Sequence, residues 1–173
     1  MHYGAIKRND IANGIGIRTS LFVSGCTHQC PGCFQPQTWD FEYGEVYTEE
    51  TEQRIIDLMR PDYNEGLTIL GGEPMEPENQ REIVKLIRRV RSELPGKTIW
   101  IYSGYTWAEL TRESRARCEV TDEILSMTDV LVDGEFMESK KDITLRFRGS
   151  SNQNIIDVQS SLSNNKQMVL WRG

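Results

Sequence analysis

Residues 17–33 read I-R-T-S-L-F-V-S-G-C-T-H-Q-C-P-G-C. The first eight mix β-branched and aromatic residues and stop at Gly25, which predicts a strand from Ile17 to Ser24 feeding a loop. That loop carries Cys26, Cys30 and Cys33 in the spacing C-x3-C-x2-C, followed at once by Phe34. Three cysteines therefore stand just past the C-terminal end of a strand.

Downstream, strand and helix signals alternate. Thr48 to Met59 opens on an N-cap threonine with Glu49 and Glu50 behind it and carries Ile55, Ile56, Leu58 and Met59 on one side, which predicts a helix. Leu67 to Leu70 is a short buried strand running into G-G-E-P. Pro77 to Leu94 predicts a helix, with Ile83, Ile87, Val90 and Leu94 on one stripe and Pro95-Gly96 as its stop. Thr98 to Tyr102 reads as a strand ending at Ser103-Gly104, Thr106 to Leu110 as a helical turn, Glu123 to Met127 as the end of a helix, and Val130 to Val132 as a strand ending at Asp133-Gly134. I-T-L-R-F-R at 143–148 and Q-M-V-L-W-R at 167–172 look strand-like. Alternation of this kind implies an α/β fold with a mostly parallel sheet, whose ligands sit at the C-terminal strand ends. The cysteines, Gly71-Gly72-Glu73, Ser103-Gly104 and Asp133-Gly134 all fall there.

The chain has 173 residues, enough for a single domain over 1–173 with a real core. Its 26 acidic and 20 basic side chains leave a net charge of −6, so it offers no basic surface to nucleic acid or anionic lipid. Met1 to Asp10 is polar and unlike a secretion signal, and no run approaches the roughly 20 apolar residues of a membrane span. A cytoplasmic location follows as an expectation, and in that reducing compartment clustered cysteines point to a metal site or to catalysis.

Two readings of the cluster compete. A structural zinc site needs a fourth ligand, for which His28, His2 and Cys118 are the candidates, and the paired C-x2-C knuckles of such sites are missing. A [4Fe-4S] cluster on three thiolates leaves one iron open to a substrate or cofactor, unlike a ferredoxin-type carrier with four cysteines. Gly71-Gly72-Glu73-Pro74 reads either as a tight turn or as a place where a ligand approaches the backbone while Glu73 accepts from a cationic group.

These residues resemble the radical S-adenosylmethionine superfamily: C-x3-C-x2-C after one strand, G-G-E-P after the next. N-G-I-G-I-R-T-S-L-F-V-S-G-C at 13–26, C-P-G-C-F at 30–34, P-G-K-T-I-W-I-Y-S-G-Y at 95–105, V-L-V-D-G at 130–134 and F-R-G-S-S-N-Q at 147–153 are similar to the branch that activates the anaerobic ribonucleoside-triphosphate reductase. The resemblance implies a partial (β/α) barrel in which Cys26, Cys30 and Cys33 ligate three irons of a [4Fe-4S] cluster and S-adenosyl-L-methionine chelates the fourth. It further implies that Gly71, Gly72 and Glu73 hold the methionine amino group and that the backbone around Gly32 and Phe34 lines the adenine side. Many superfamily members place an aromatic residue before the third cysteine, whereas Gly32 stands there and Phe34 follows. The implied activity is reductive cleavage to a 5′-deoxyadenosyl radical that makes a glycyl radical on the reductase large subunit. Pyruvate formate-lyase is the alternative target, and a zinc- or ferredoxin-like binding module the alternative outside enzymes. An electron donor such as flavodoxin or ferredoxin is implied, and dimer formation or a complex with a dimeric reductase is suggested.

Some positions stay open between a structural and a functional role. Ser103 reads as a cofactor ribose contact or as a Ser-Gly turn, Asp133 as a turn or N-cap or as a cofactor contact, His28 as an exposed loop residue or a neighbour of the cluster, and Cys118 as a free thiol. The four tryptophans read as core or interface residues. Ser151 and Asn152, in a stretch too polar for core packing, are expected to contact the glycine loop of the reductase or to close over the cofactor.

Overall fold

The computed structural model describes residues 1–173. Seven strands form one open sheet in the order β3-β1-β2-β4-β5-β6-β7. They are β1 (His2–Asp10), β2 (Ile17–Val23), β3 (Glu45–Val46), β4 (Asn64–Gly71), β5 (Thr98–Tyr102), β6 (Val130–Asp133) and β7 (Asn154–Asp157). The central strands β2, β4, β5 and β6 run parallel to one another. The outer pairings, β1 with β2, β1 with β3 and β6 with β7, are antiparallel. The sheet is thus mixed, not mostly parallel: the alternation of strand and helix holds only from β2 to β6.

Two further expectations change. Met1 to Asp10 forms the longest strand, whose weak apolar pattern is compensated by pairing along β2, with Tyr3 and Asp10 buried. Residues 143–148 are bends, and residues 167–172 contribute one isolated bridge, Leu170 to Ile156. The last strand is Asn154–Asp157 between them, because that segment is the one that finds a free edge on β6.

Helices α1 (Glu49–Met59), α2 (Pro77–Glu93), α3 (Trp107–Thr111), α4 (Thr121–Ser126) and α5 (Val158–Ser163) follow the strands. Thr48 caps α1 and exchanges bonds with Thr51, and Pro77 opens α2 where a missing N–H costs nothing. The buried stripe of α2, Ile83, Leu86, Ile87 and Val90, joins Ile55, Ile56 and Met59 of α1 and Leu21, Leu67, Ile69, Ile99 and Leu131 of the sheet in the main core. No helix is long and apolar enough to cross a membrane.

Side chains alternate across the sheet, so its other face carries Arg18, Ser20 and Phe22 from β2, Thr68 and Leu70 from β4, Trp100 and Tyr102 from β5, and Val130 and Val132 from β6. Its N-terminal end is closed by Trp100, Phe147 and Trp171, with Trp100 and Trp171 edge to face at 5.1 Å. Beside them Arg18 is buried and donates to Thr68 Oγ1 at 2.8 Å, Leu67 O at 2.9 Å and Thr98 Oγ1 at 2.9 Å. Burial brings its guanidinium down to about 10, against the pull of neighbouring acidic groups. The C-terminal end of this face is left open.

Candidate functional site

A cavity of about 290 Å³ occupies that open end. Cys26, Cys30, Cys33, Phe34, Gly71, Gly72, Glu73 and Ser103 all belong to its wall, contributed by the loops after β2, β4 and β5. Eight of the nine residues expected from sequence are thereby brought together. Gly32 is the exception: it lies exposed on the loop outside the wall, at φ +76°, where a Cβ would collide with the Glu138 carboxylate. Glycine is required there by both the turn and the neighbour.

Main-chain bonds fix the loop. Gly25 N donates to Thr38 O at 2.8 Å, Cys26 N to Trp39 O at 3.3 Å, Gly72 N to Val23 O at 2.7 Å and Glu73 N to Gly25 O at 2.8 Å. Gly71 takes φ +109°, so the chain leaves β4 and turns against β2, where a Cβ would lie 2.6 Å from Val23 O. Buried Glu76 adds a side-chain anchor, accepting from Thr27 N at 2.9 Å and Thr27 Oγ1 at 2.6 Å.

The thiols are free and half-buried. Burial, assisted by the negative charge of Glu73, pushes Cys26 up to about 12, and burial with Glu135 raises Cys30. Both are protonated at neutral pH, so iron must displace a proton to bind them. No three His, Cys, Asp or Glu side chains stand close enough to hold a single ion. Cys118 lies elsewhere, its Sγ 3.4 Å from Gln80 Oε1 between α2 and α4. Three thiols on one loop, with the fourth cysteine engaged at a distance, are the donor set of a cluster with one iron open to another ligand.

Glu73, 1% exposed, is held from four sides. Oε1 accepts from Ser103 Oγ at 2.7 Å and Met75 N at 2.8 Å, and Oε2 accepts from Gly104 N at 2.6 Å and His28 Nε2 at 2.9 Å. The other imidazole nitrogen of His28 donates to Glu135 Oε1 at 2.7 Å. Both nitrogens facing carboxylates require both N–H groups. Burial opposes the charge on His28, yet its bonds to Glu73 and Glu135 and their charges outweigh it and push the ring up to about 9. The His28 side chain is only 3% exposed, not an exposed loop residue. Ser103 is likewise engaged, since Tyr105 N donates back to its Oγ at 3.0 Å.

On the other wall, Gln153 ties the chain after β6 to the polar stretch before β7. Its Oε1 accepts from Gly149 N at 2.9 Å and its Nε2 donates to Gly134 O at 3.0 Å. Asn152 Nδ2 donates to Glu135 O at 2.8 Å, while Ser151 is exposed. Asp133 turns away from the cavity, capping α3 through Trp107 N at 2.7 Å. Phe34 is 70% exposed and tilts against Phe136 at 5.2 Å, with Lys141 over its ring. Sequence reasoning missed Trp39, Tyr102, Glu135 and Phe136; of these only Tyr102 carried a signal, its place at the C-terminal end of a parallel strand. The buried Trp39 Nε1 and Tyr102 hydroxyl have no partner within the chain, so the wall has hydrogen-bonding capacity left for a polar ligand.

Residues 12–156 match the family model described as a 4Fe-4S single cluster domain. The chain is 43% identical over 155 residues to the anaerobic ribonucleoside-triphosphate reductase-activating protein of Escherichia coli K12, covering 88% of this chain and 96% of that one. The protein of the same name from Vibrio cholerae is 42% identical over the same shares, and that of Enterobacteria phage T4 is 34% identical, covering 90% and 93%. Likeness at this level runs through the cysteine loop and the strands behind it alike, and the chain belongs to the family of anaerobic ribonucleoside-triphosphate reductase-activating proteins.

Proposed function

We propose that the chain is an iron–sulfur activating enzyme that uses S-adenosylmethionine to install a glycyl radical on the anaerobic ribonucleoside-triphosphate reductase. The observation that carries this is the meeting of three free thiols from one loop with Gly71-Gly72-Glu73 in one cavity at the ends of parallel strands. When bound, the cluster and S-adenosylmethionine supply a 5′-deoxyadenosyl radical able to take a hydrogen atom from a glycine Cα. The protein supplies position and shielding.

In this reading Cys26, Cys30 and Cys33 hold three irons. Gly71 and Gly72 present main chain to the methionine end, beside Glu73, whose carboxylate Ser103, Gly104, Met75 and His28 hold in one orientation. The rim at Phe34 and the neighbouring Gly32 serves the adenine side, and the free indole N–H of Trp39 donates to an oxygen or nitrogen of the cofactor. The open sheet stands for the partial (β/α) barrel of the superfamily. Its opening admits a segment of the reductase, and a flavodoxin- or ferredoxin-type protein delivers the electron.

Anaerobic reconstitution followed by iron analysis and electron paramagnetic resonance tests the reading. The expected result is the iron content of one [4Fe-4S] cluster per chain, with a reduced signal that changes on adding S-adenosylmethionine. Stoichiometric zinc and no such change would overturn it. Offering the purified enzyme both the reductase and pyruvate formate-lyase decides the target, a glycyl radical being expected on the first alone.

A further inference from the structure

Four buried side-chain polar atoms lack a hydrogen-bond partner: Trp39 Nε1, Asn64 Oδ1, the Tyr102 hydroxyl and Asn152 Oδ1. Leaving a buried hydroxyl unpaired costs folding free energy that a phenylalanine would avoid, so each such group calls for an explanation. That of Tyr102 lies in its position.

The strand register sets Phe22 of β2 level with Leu70 of β4, and Tyr102 of β5 level with Val132 of β6. Ile69 pairs with Ile101, so Leu70 and Tyr102 are level too. Phe22, Leu70, Tyr102 and Val132 therefore form one row across four adjacent strands, all in the wall of the cavity. Three of the four are hydrocarbon, and the hydroxyl of Tyr102 is the one side-chain polar group in the row. A charged ligand group would lose hydration against such a row for a single bond in return. A neutral group offering one acceptor suits it, and a peptide main chain offers a carbonyl oxygen without charge. A glycine-bearing segment brings no side chain that would hold its main chain away from the row.

We propose that Tyr102 binds the protein substrate, its hydroxyl donating to a main-chain carbonyl next to the glycine that is to be oxidised. This rests on the reading of the cavity as the site of glycyl-radical formation. Tyr102 is a substrate-binding residue here, and Ser103 and Gly104, which follow it directly, hold Glu73. One strand end would thus place the peptide and fix the carboxylate at the same time.

The test is Tyr102→Phe, which keeps the ring and removes only the oxygen. With the full reductase and the cluster-loaded enzyme, three quantities are compared with wild type: the thermal midpoint without reductase, the KM for the reductase, and glycyl radicals stored per S-adenosylmethionine consumed. The midpoint should hold or rise, because no bond within the chain is lost. The KM should rise and the stored radicals per cofactor fall by about fivefold, the worth of one neutral hydrogen bond. A midpoint that falls with unchanged KM would assign the hydroxyl to a buried water within the fold and overturn the proposal. Radical yield and cofactor cleavage falling in equal proportion would assign it to the cofactor and overturn the proposal as well. If wild-type enzyme cleaves no S-adenosylmethionine, the reading of the cavity itself fails, and the assignment of Tyr102 with it.

Discussion

His28 Nε2 and Glu73 Oε2 meet at 2.9 Å although 45 residues separate them, and the bond ties the cysteine loop to the end of β4. Both side chains are almost fully buried, at 3% and 1% exposure. The pair is therefore structural before it is anything else.

His28→Ala removes one donor to a buried carboxylate and should lower unfolding free energy in urea by about 3 kcal/mol, within the range for breaking a buried pair. The second arm, to Glu135, adds little, because Glu135 is 53% exposed. A loss under about 0.5 kcal/mol would show that the pair does not stabilise the fold.

Gly104→Ala tests the same contact from the other side. An added Cβ would lie 2.7 Å from His28 Cδ2 and 2.8 Å from Nε2, so the ring must move and give up Glu73. Overpacking of this kind costs about 1–3 kcal/mol. In a double-mutant cycle the penalty should nearly vanish on a His28→Ala background, since the clash is then gone. Full additivity of the two changes would contradict the geometry.

Changing Cys26, Cys30 or Cys33 to Ala should each abolish iron uptake on reconstitution, whereas Cys118→Ala should leave iron content unaltered, its thiol being engaged by Gln80. Iron retained by any one of the three loop variants would mean that another side chain can complete the ligand set.

Acid sensitivity is expected at Asp10. Burial pushes its carboxyl up, but hydrogen bonds from Asn13 Nδ2 at 2.7 Å, Ser20 Oγ at 2.6 Å and Ala12 N at 2.9 Å outweigh that and hold it below the ordinary carboxylate range. A folded-state value below the unfolded one contributes stability above the unfolded value of about 3.9, and that contribution is lost as pH falls through the folded value. Asp10→Asn should therefore be less stable than wild type at pH 7 and flatten stability against pH on the acid side. An unchanged slope would show that other carboxylates carry the acid response.

The alternation from β2 to β6 is legible because these strands are buried on both faces and read as short apolar runs between capped helices. β1 is not, since only pairing with β2 makes a strand of H-Y-G-A-I-K-R-N-D. The opposite error occurs at I-T-L-R-F-R: its alternation suits a strand, but it bends and takes a left-handed φ of 62° at Phe147. Spacing exposes the three loop cysteines and Gly71-Gly72-Glu73 in advance. The burial of His28 is set instead by Glu73 and Glu135, the latter 107 residues away, and the missing partner of Tyr102 is a fact of three dimensions with no sequence signature.

The main-chain bonds from Gly25, Cys26, Gly72 and Glu73 bear on the order of assembly. They involve no sulfur, so the ends of the cysteine loop are set during folding and only the short arc between Thr27 and Phe34 remains to adjust when iron arrives. Small zinc domains follow the reverse sequence, with metal nucleating the chain around it. Here maturation can be a late event on a finished scaffold, and loss of the cluster to oxygen need not unfold the protein, which leaves it competent to be rebuilt.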